Sequence, residues 1–287
     1  PVIEDRFTRF AVGTEFNTAA AMAVFGHDTC HIGRYMTGPS GDTILGCMER
    51  DTPKVDLTYF KPMPAGTEAQ DAWFTLYNGS GLTQPRATMR RDNTPLGQIN
   101  VGQSLKRSLM RDVREVAPRA RVFHISSITL GIKKEMFAFV KKMIAEFRKH
   151  GVLITADLSY RSQQYENCGG IEEYRRRVQE LVPLVDVVFM NYDHYDKDLG
   201  IDRHSFTPEM WEWYPNVKLA VTARRTIDPE NGDQQYKVYC WTRETWVYEA
   251  HEYKTSVVQR VGCGDAAFGG FMHAVLTHTC YMLTHVN

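Results

Sequence analysis

The sequence has no excess charge of either sign, because 34 Lys and Arg residues are balanced by 34 Asp and Glu residues. The basic residues are scattered along the chain rather than clustered, so no general field is available to hold a polyanion. We therefore expect no nucleic-acid partner, and small molecules are the favoured ligands.

Long apolar segments are also absent. The longest apolar runs, such as Val187 to Met190, fall far short of the roughly 20 residues that span a bilayer. No charged-then-apolar segment typical of a signal peptide opens the chain. These features predict a soluble, cytoplasmic protein without a membrane partner.

The six cysteines form no CxxC pair and show no spacing to histidine that is typical of a zinc site. A chain of 287 residues needs no disulfide scaffold, so we expect reduced thiols. Internal repeats and low-complexity segments are lacking too. The composition, 43% hydrophobic and 24% charged, indicates a globular protein with one large domain or two small ones.

From about Arg121 onward, apolar strands alternate with amphipathic helices. Largely apolar strands separated by helices predict a parallel sheet that is covered on both faces. The predicted strands are 121–126, 152–158, 185–190 and 217–222, with helices at 133–150 and 171–182 between them. Hairpin strands at 236–240 and 246–248, a Gly-rich turn and a final helix follow.

The first hundred residues have a different pattern. Thr18 to Phe25 is predicted to be helical, and three short strands are separated by Gly- and Pro-containing loops. These strands, Asp56 to Phe60, Trp73 to Tyr77 and Arg86 to Arg90, predict a small sheet that projects from the main α/β body. Ligands of an open α/β sheet bind outside the carboxyl ends of its strands.

The strongest motif is VGCGDAAFGGFMHAVL, from Val261 to Leu276. The backbone N–H groups of Gly262, Cys263 and Gly264 precede a helix and form an anion site, where the helix dipole also favours negative charge. Asp265 is placed to accept a proton from a hydroxyl that attacks a phosphate held by this turn. The alternative is an ordinary helix start in which Asp265 only compensates the dipole.

The pair Gly269-Gly270 lies inside the predicted final helix. Each glycine costs a helix about 1 kcal/mol relative to alanine. The pair therefore predicts a close approach of another element or of a ligand.

Several segments together resemble the ribokinase/PfkB family of sugar kinases. VGCGDAAFGGF is similar to the GAGD signature of the family, and VVQRVGCGD is similar to the form found in 2-keto-3-deoxygluconate kinases. Further matches occur in the order found in the family: 11–27 (AVGTEFNTAAAMAVFGH), 124–132 (HISSITLGI), 155–161 (TADLSYR), Asn191 after VDVVFM, and 221–226 (VTARRT).

The resemblance implies a fold and an activity. The fold is a ribokinase-like three-layer α/β/α sandwich with a mostly parallel central sheet and a small β-sheet lid. It would form one domain over residues 1–287, with the lid strands mainly within 50–105 and both chain ends short relative to the family. The implied activity is phosphorylation of a sugar acid, 2-keto-3-deoxygluconate, with ATP and Mg²⁺.

The resemblance also implies roles for residues at the two ends of the chain. Asp265 would deprotonate the sugar hydroxyl, and Gly262, Cys263 and Gly264 would hold the transferring phosphoryl group. Gly13, Thr14 and Asn17 would contact sugar hydroxyls. The alternative for this second group is a turn before a helix, with Asn17 as its cap.

Arg161 follows a predicted strand and matches an arginine that faces the substrate acid in the keto-deoxy-sugar kinases. A guanidinium group binds a carboxylate bidentately. The alternative is a surface ion pair between Arg161 and Asp157. In the lid, Arg91, beside Arg90 and Asp92, and an aromatic residue, Trp73 or Phe74, match sugar contacts.

Three more matches concern the nucleotide. Thr222 and Arg224 match an element near the nucleotide phosphates, and Asn191 matches the first position of a motif associated with metal and phosphate. As alternatives, Asn191 is a turn residue and Arg224 belongs to a solvated charge pair with Arg225. The metal ligands themselves stay unassigned.

Two departures from the family pattern keep other functions open. His194 stands where the family has an acid, and Gln259 replaces a second acid. These changes motivate a binding or regulatory protein with weakened catalysis as an alternative. A kinase of a neutral sugar such as fructose or ribose is a further alternative, and the lid strands predict a homo-oligomer.

Overall fold

A computed structural model describes residues 10–64, 66–77, 86–90, 93–100, 103–191, 214–228, 234–242, 247–255 and 261–278. The α-helices are α1 (Thr14–Val24), α2 (Pro39–Asp51), α3 (Gln103–Val116), α4 (Ser127–Leu130), α5 (Lys134–Arg148), α6 (Ser162–Tyr165), α7 (Gly170–Leu181) and α8 (Cys263–His278). The β-strands are β1 (Thr29–Cys30), β2 (Gly33–Tyr35), β3 (Val55–Asp56), β4 (Phe60–Pro62), β5 (Trp73–Tyr77), β6 (Arg86–Arg90), β7 (Val122–Ser126), β8 (Leu153–Asp157), β9 (Val187–Asn191), β10 (Leu219–Ile227), β11 (Gln234–Thr242), β12 (Val247–Glu249) and β13 (Tyr253–Thr255).

The central sheet has the strand order β12-β11-β10-β9-β8-β7, and β13 also pairs with β11. Strands β7 to β10 are mutually parallel, whereas β11 runs antiparallel to β10 and to both β12 and β13. Helix α5 connects β7 to β8, and α7 connects β8 to β9. The prediction of a mostly parallel sheet from about Arg121 onward is confirmed.

Helices cover both faces of this sheet. Val188 and Met190 of β9 join the core that includes buried side chains of α3, α5 and α7. Val187 and Phe189 point to the opposite face and pack with Phe268 of α8, because successive side chains of a strand alternate between faces. The protein is therefore a three-layer α/β/α sandwich, as predicted.

In the described part of the first hundred residues, the strands form three two-stranded sheets. β1 pairs with β3 and β2 with β4, both in parallel, and β5 pairs antiparallel with β6. The predicted single strand from Asp56 to Phe60 is wrong, because a turn interrupts it. Thr58 N–H donates to Asp56 Oδ1 at 2.8 Å, and Phe60 N–H donates to the carbonyl of Leu57 at 2.9 Å.

Helices α2 and α3 were not predicted from the sequence, and α1 begins at Thr14 rather than at Thr18. The Asn17 N–H donates to the Gly13 carbonyl at 2.7 Å, so the glycine of the motif is the residue that caps the helix. None of the helices in the described ranges is both long and apolar enough to cross a membrane.

Helices α1 and α8 lie side by side and run in the same direction. Asn17 contacts Asp265, Ala21 contacts Gly269, and Phe25 stacks on His273. Each contact lies four residues beyond the previous one on both helices, so the two helices keep one register. Their N-termini consequently point to the same edge of the molecule.

Close packing of these helices explains one of the two glycines of the Gly269-Gly270 pair. A Cβ atom at residue 269 would lie 2.6 Å from the Cβ of Ala21, which is too close. A Cβ at residue 270 would meet the Phe25 ring at 3.7 Å, an ordinary contact. The predicted close approach therefore applies to Gly269, and its partner is α1.

This difference leads to a prediction for two neighbouring alanine variants. Gly269→Ala should lower the free energy of unfolding by about 1–2 kcal/mol, because overpacking outweighs the gain in helix propensity. Gly270→Ala should raise it by up to about 1 kcal/mol. Urea denaturation of both variants measures the effect, and equal changes in the two would contradict the α1–α8 packing.

Candidate functional site

Most of the residues predicted to carry function line one large cavity that includes the carboxyl end of β8 and the N-termini of α1 and α8. The side chains at the carboxyl edge of the sheet follow β7 and β8, and the N-termini of α1 and α8 face them. The predicted residues that line the cavity are Gly13, Thr14, Asn17, Trp73, Arg161, Arg224, Gly262, Cys263, Gly264 and Asp265. The fold thus brings together residues from both ends of the chain.

The glycine turn before α8 has the geometry of an anion site. Gly262 has a φ of +81°, which favours glycine, and its carbonyl accepts the N–H of Ala266 at 2.8 Å. Gly262 is therefore the residue that caps α8. The N–H groups of the first helical turn, which starts at Cys263, have no acceptor within the helix and can bind an anion.

Asp265 lies in the first turn of α8, next to these N–H groups. The pKa of Asp265 is raised to about 6, mainly by burial and to a smaller extent by the charge of Glu15, although the Asn17 hydrogen bond and the Arg161 charge lower it. An acid that only compensated the helix dipole would have a lowered pKa. The raised value favours a functional carboxyl over the dipole-compensating alternative.

Asn17 holds the carboxyl of Asp265. Its Nδ2 donates to Asp265 Oδ2 at 2.6 Å, and its Oδ1 accepts a long hydrogen bond of 3.4 Å from the Gly13 N–H. Gly13, not Asn17, occupies the cap position of α1. The alternative of Asn17 as a helix cap is therefore wrong, and its contact with Asp265 was not predicted.

Asp157 ends β8 and is a second acidic group in this cavity. Its side chain is 5% exposed, and its Oδ1 accepts hydrogen bonds from the N–H of Ser159 at 2.9 Å and from its hydroxyl at 2.7 Å. Burial raises the pKa of Asp157 to about 7 despite the Ser159 hydrogen bonds, with a smaller contribution from the charge of Asp265. An acid at the end of an apolar strand is the sequence signal that could have identified it.

Arg161 lies between β8 and α6, and its charge acts on the same acids. Its Nη1 donates to the Tyr160 carbonyl at 2.8 Å, and its charge lowers the pKa of both Asp157 and Asp265. Among the described residues, no ion pair joins Arg161 to Asp157, so the ion-pair alternative is wrong. The guanidinium is exposed and lines the cavity, where a carboxylate could reach it.

Glu15 is a third acid of the site to which sequence reasoning gave no role. It lies in the first turn of α1 and lines the cavity. Its Oε1 accepts hydrogen bonds from the N–H of Ser126, at the end of β7, and from the hydroxyl of Thr129. Glu15 lies within the motif from 11 to 27, which is the signal that could have identified it.

The residues predicted to contact the nucleotide do not all line the cavity. Arg224 lines the cavity, whereas Thr222 is completely buried in β10 and is not among the cavity-lining residues. Asn191 ends β9, where its backbone pairs with Ala223. These three assignments stay predictions.

Of the residues predicted to contact the sugar from the lid, Trp73 lies in the described ranges. Trp73 of β5 is 51% exposed and lines the cavity. The predictions for Arg91, Asp92, His194 and Gln259 lie outside the described residues.

A magnesium site depends on oxygen ligands. Over the described ranges, no three His, Cys, Asp or Glu side chains come together in a way that could hold a metal ion by themselves. Protein-bound Mg²⁺ usually combines one or two carboxylates with substrate phosphates and water, so an ion that arrives with a nucleotide needs no such cluster.

No protein-family model matches the chain, but solved structures do. A PfkB family carbohydrate kinase from Listeria grayi is 24% identical with a TM-score of 0.79, and the match covers 93% of this chain and 78% of that chain. The 2-dehydro-3-deoxygluconokinase of Thermotoga maritima is 21% identical with a TM-score of 0.80, covering 97% and 82%. An Escherichia coli protein solved in complex with ATP and Mg²⁺ is 16% identical with a TM-score of 0.70, covering 96% and 80%.

These likenesses extend over nearly the whole chain and over more than two thirds of each matched protein. They show that the chain has the fold of the PfkB carbohydrate kinases. The ribokinase-like fold predicted from the motifs is thereby confirmed.

The raised pKa of Asp157 leads to a stability prediction. Its folded-state pKa of about 7 lies above the ordinary 3.8, so ionising it costs folding energy as the pH rises toward and through 7. Asp157→Asn should therefore raise the free energy of unfolding by about 2–4 kcal/mol at pH 8, with the gain shrinking toward pH 4. Asparagine can still accept both Ser159 hydrogen bonds.

Asp186→Asn is a matched control for this prediction, and denaturant titrations at several pH values compare the two variants. Asp186 is also buried, but its carboxylate pairs with Arg148 at 2.8 Å and accepts the Ile154 N–H at 2.7 Å. Removing that charge should destabilise the protein at pH 8. A loss of stability at pH 8 in both variants would contradict the assignment of Asp157 as an unpaired buried acid.

Proposed function

We propose that this protein is an ATP-dependent kinase of a sugar acid, and that the substrate is 2-keto-3-deoxygluconate. The observation that carries the proposal is the position of Asp265, a half-buried carboxyl beside the anion-binding turn at Gly262 and held by Asn17. The fold shared with carbohydrate kinases supports the same reaction class.

In the proposed reaction, the Asp265 carboxylate accepts the proton of a sugar hydroxyl. The hydroxyl oxygen forms a bond to the γ-phosphorus of ATP while the bond to the bridging oxygen of ADP breaks. The N–H groups at Gly262, Cys263 and Gly264 stabilise the negative charge of the transferring group. Bound Mg²⁺ would neutralise charge on the nucleotide phosphates.

We assign substrate contacts to the residues on the sugar side of the cavity. Gly13, Thr14 and Asn17 would bind sugar hydroxyls, and Trp73 and Arg91 are assigned to the same substrate. Arg161 would bind the substrate carboxylate bidentately, since its guanidinium lines the cavity. Arg224, Thr222 and Asn191 are assigned to the nucleotide side.

The remaining proposals concern organisation. The chain would form one domain over residues 1–287, with the pair β5–β6 as the lid. Trp73 is exposed on that pair, which favours association of two copies through their lids. We also propose that the protein works in the cytoplasm.

A kinase of a neutral sugar is the second candidate. Among the charged groups that act on Asp157 and Asp265, the acid Glu15 and the aspartates themselves are opposed by one cation, the Arg161 guanidinium. This excess of acids disfavours an anionic substrate unless Asp157 is protonated.

Coupled ADP release with ATP, Mg²⁺ and a sugar panel tests the function. The panel contains 2-keto-3-deoxygluconate, gluconate, fructose and ribose. Turnover confined to the keto-deoxy acid supports the proposal, and turnover on fructose or ribose supports the neutral-sugar candidate. The absence of turnover on all four would favour a binding protein without efficient catalysis.

Asp265→Asn should lower kcat by at least about 100-fold, because an amide cannot accept the hydroxyl proton. Sugar binding, followed by calorimetry, should be nearly unchanged. In the unaltered protein, kcat/KM should fall below about pH 6, because Asp265 must be ionised to act as a base.

Glu172→Gln is the control for that variant, because Glu172 is an exposed acid on α7 and its loss should leave kcat unchanged. Full activity in Asp265→Asn would show that another group is the base.

Arg161→Gln should raise KM for the sugar acid by about 10- to 100-fold, because a charge-assisted hydrogen bond contributes about that factor to binding affinity. Any turnover of neutral sugars should change little. Steady-state kinetics measures both. Arg175→Gln is the matched control, because Arg175 is a half-buried arginine that pairs with Glu172 on α7. An equal rise in KM for acidic and neutral sugars would show that Arg161 does not recognise the substrate carboxylate.

A further inference from the structure

Glu15 links the start of α1 to the carboxyl edge of the sheet. Its Oε1 accepts the N–H of Ser126 at 3.0 Å and the hydroxyl of Thr129 at 2.5 Å, although these partners lie more than 100 residues away in sequence. Both donors are neutral. A glutamine at this position could accept the same two hydrogen bonds, so these contacts alone do not require a charge.

The charge of Glu15 acts on the other acids of the cavity. Ser126, whose N–H donates to Glu15, is the register partner of Asp157 on β8, and Asn17, two residues after Glu15 on α1, donates to Asp265 of α8. Burial is the main cause that raises the pKa of both aspartates, and the Glu15 charge adds to it. The opposing groups are the Arg161 guanidinium, between β8 and α6, and the Asn17 amide on α1. A third acid beside two others is electrostatically unfavourable. We therefore expect Glu15 to have a function that compensates for this cost.

We propose that Glu15 is a positioning residue for the kinase reaction, one that fixes the first turn of α1 and strengthens Asp265 as a proton acceptor through its negative charge. The proposal rests on the function proposed for Asp265. A base that holds a proton more tightly removes it from a hydroxyl more readily, so a nearby fixed negative charge favours the transfer. The hydrogen bonds to Ser126 and Thr129 keep that charge in place while Asn17 holds the carboxyl of Asp265.

The test is the pH profile of kcat/KM for Glu15→Gln. Loss of the charge should move the acidic limb to lower pH, because Asp265 then stays ionised further into the acid range. At pH 5 the activity relative to the plateau should rise about threefold, equivalent to half a pH unit, while the plateau kcat falls. An acidic limb that stays in place would overturn the proposal.

Two control variants separate charge from structure. Thr129→Val removes one hydrogen bond to Glu15 and keeps its charge, so the acidic limb should stay where it is. Glu15→Asp also keeps a negative charge and should leave the limb near its original position. If Glu15→Gln fails to fold while Glu15→Asp folds, the charge serves stability, and the proposal is wrong.

A measurement without turnover distinguishes this proposal from the proposed function. Carboxyl ¹³C resonances of the aspartates are titrated in the full chain, and the signal of Asp265 is assigned by its loss in Asp265→Asn. A downward shift of the Asp265 midpoint in Glu15→Gln supports the electrostatic link, even if no sugar of the panel is phosphorylated. An unchanged midpoint refutes the link, even if the enzyme is active.

Discussion

The parallel packing of α1 against α8 is the contact on which the site depends. Gly269 lets the two backbones approach, and the contact between Asn17 and Asp265 lies one helical turn closer to the N-termini. Because both helices keep the same register, a shift of either would move the glycine turn and Asp265 away from Asn17 together. A packing interaction inside the protein thereby sets the geometry of a polar site at its edge.

The acids of the cavity are the second feature that defines the site, and their effect is electrostatic. Glu15, Asp157 and Asp265 all line the cavity, and burial is the main reason that the pKa of Asp157 and of Asp265 lies above the ordinary value. Such an arrangement costs stability, since buried carboxylates without cationic partners oppose ionisation. Natural sites accept this cost where the proton affinity of a group is used, and the acids of the cavity fit that pattern.

The sequence predicted the parts of the molecule in which local pattern and tertiary packing agree. Apolar strands such as β8 and β9 and the glycine motif before α8 carry their structure in consecutive residues. Helix α3 was missed because it buries a charged residue, Asp112, whose partners are distant in sequence. Asp112 forms ion pairs with Arg34 and Lys61, which come from distant strands. The link between Asn17 and Asp265 was missed for the same reason, because no local pattern records which helices pack together.

The order of these elements along the chain has a consequence for synthesis. Asn17 and Asp265 are separated by 248 positions, and α8 follows every other described element. A ribosome therefore releases the first turn of α1 long before α8, the helix that carries Asp265 and follows the glycine turn. Incomplete nascent chains consequently lack the assembled cavity, and the site forms only when the first and last described helices meet.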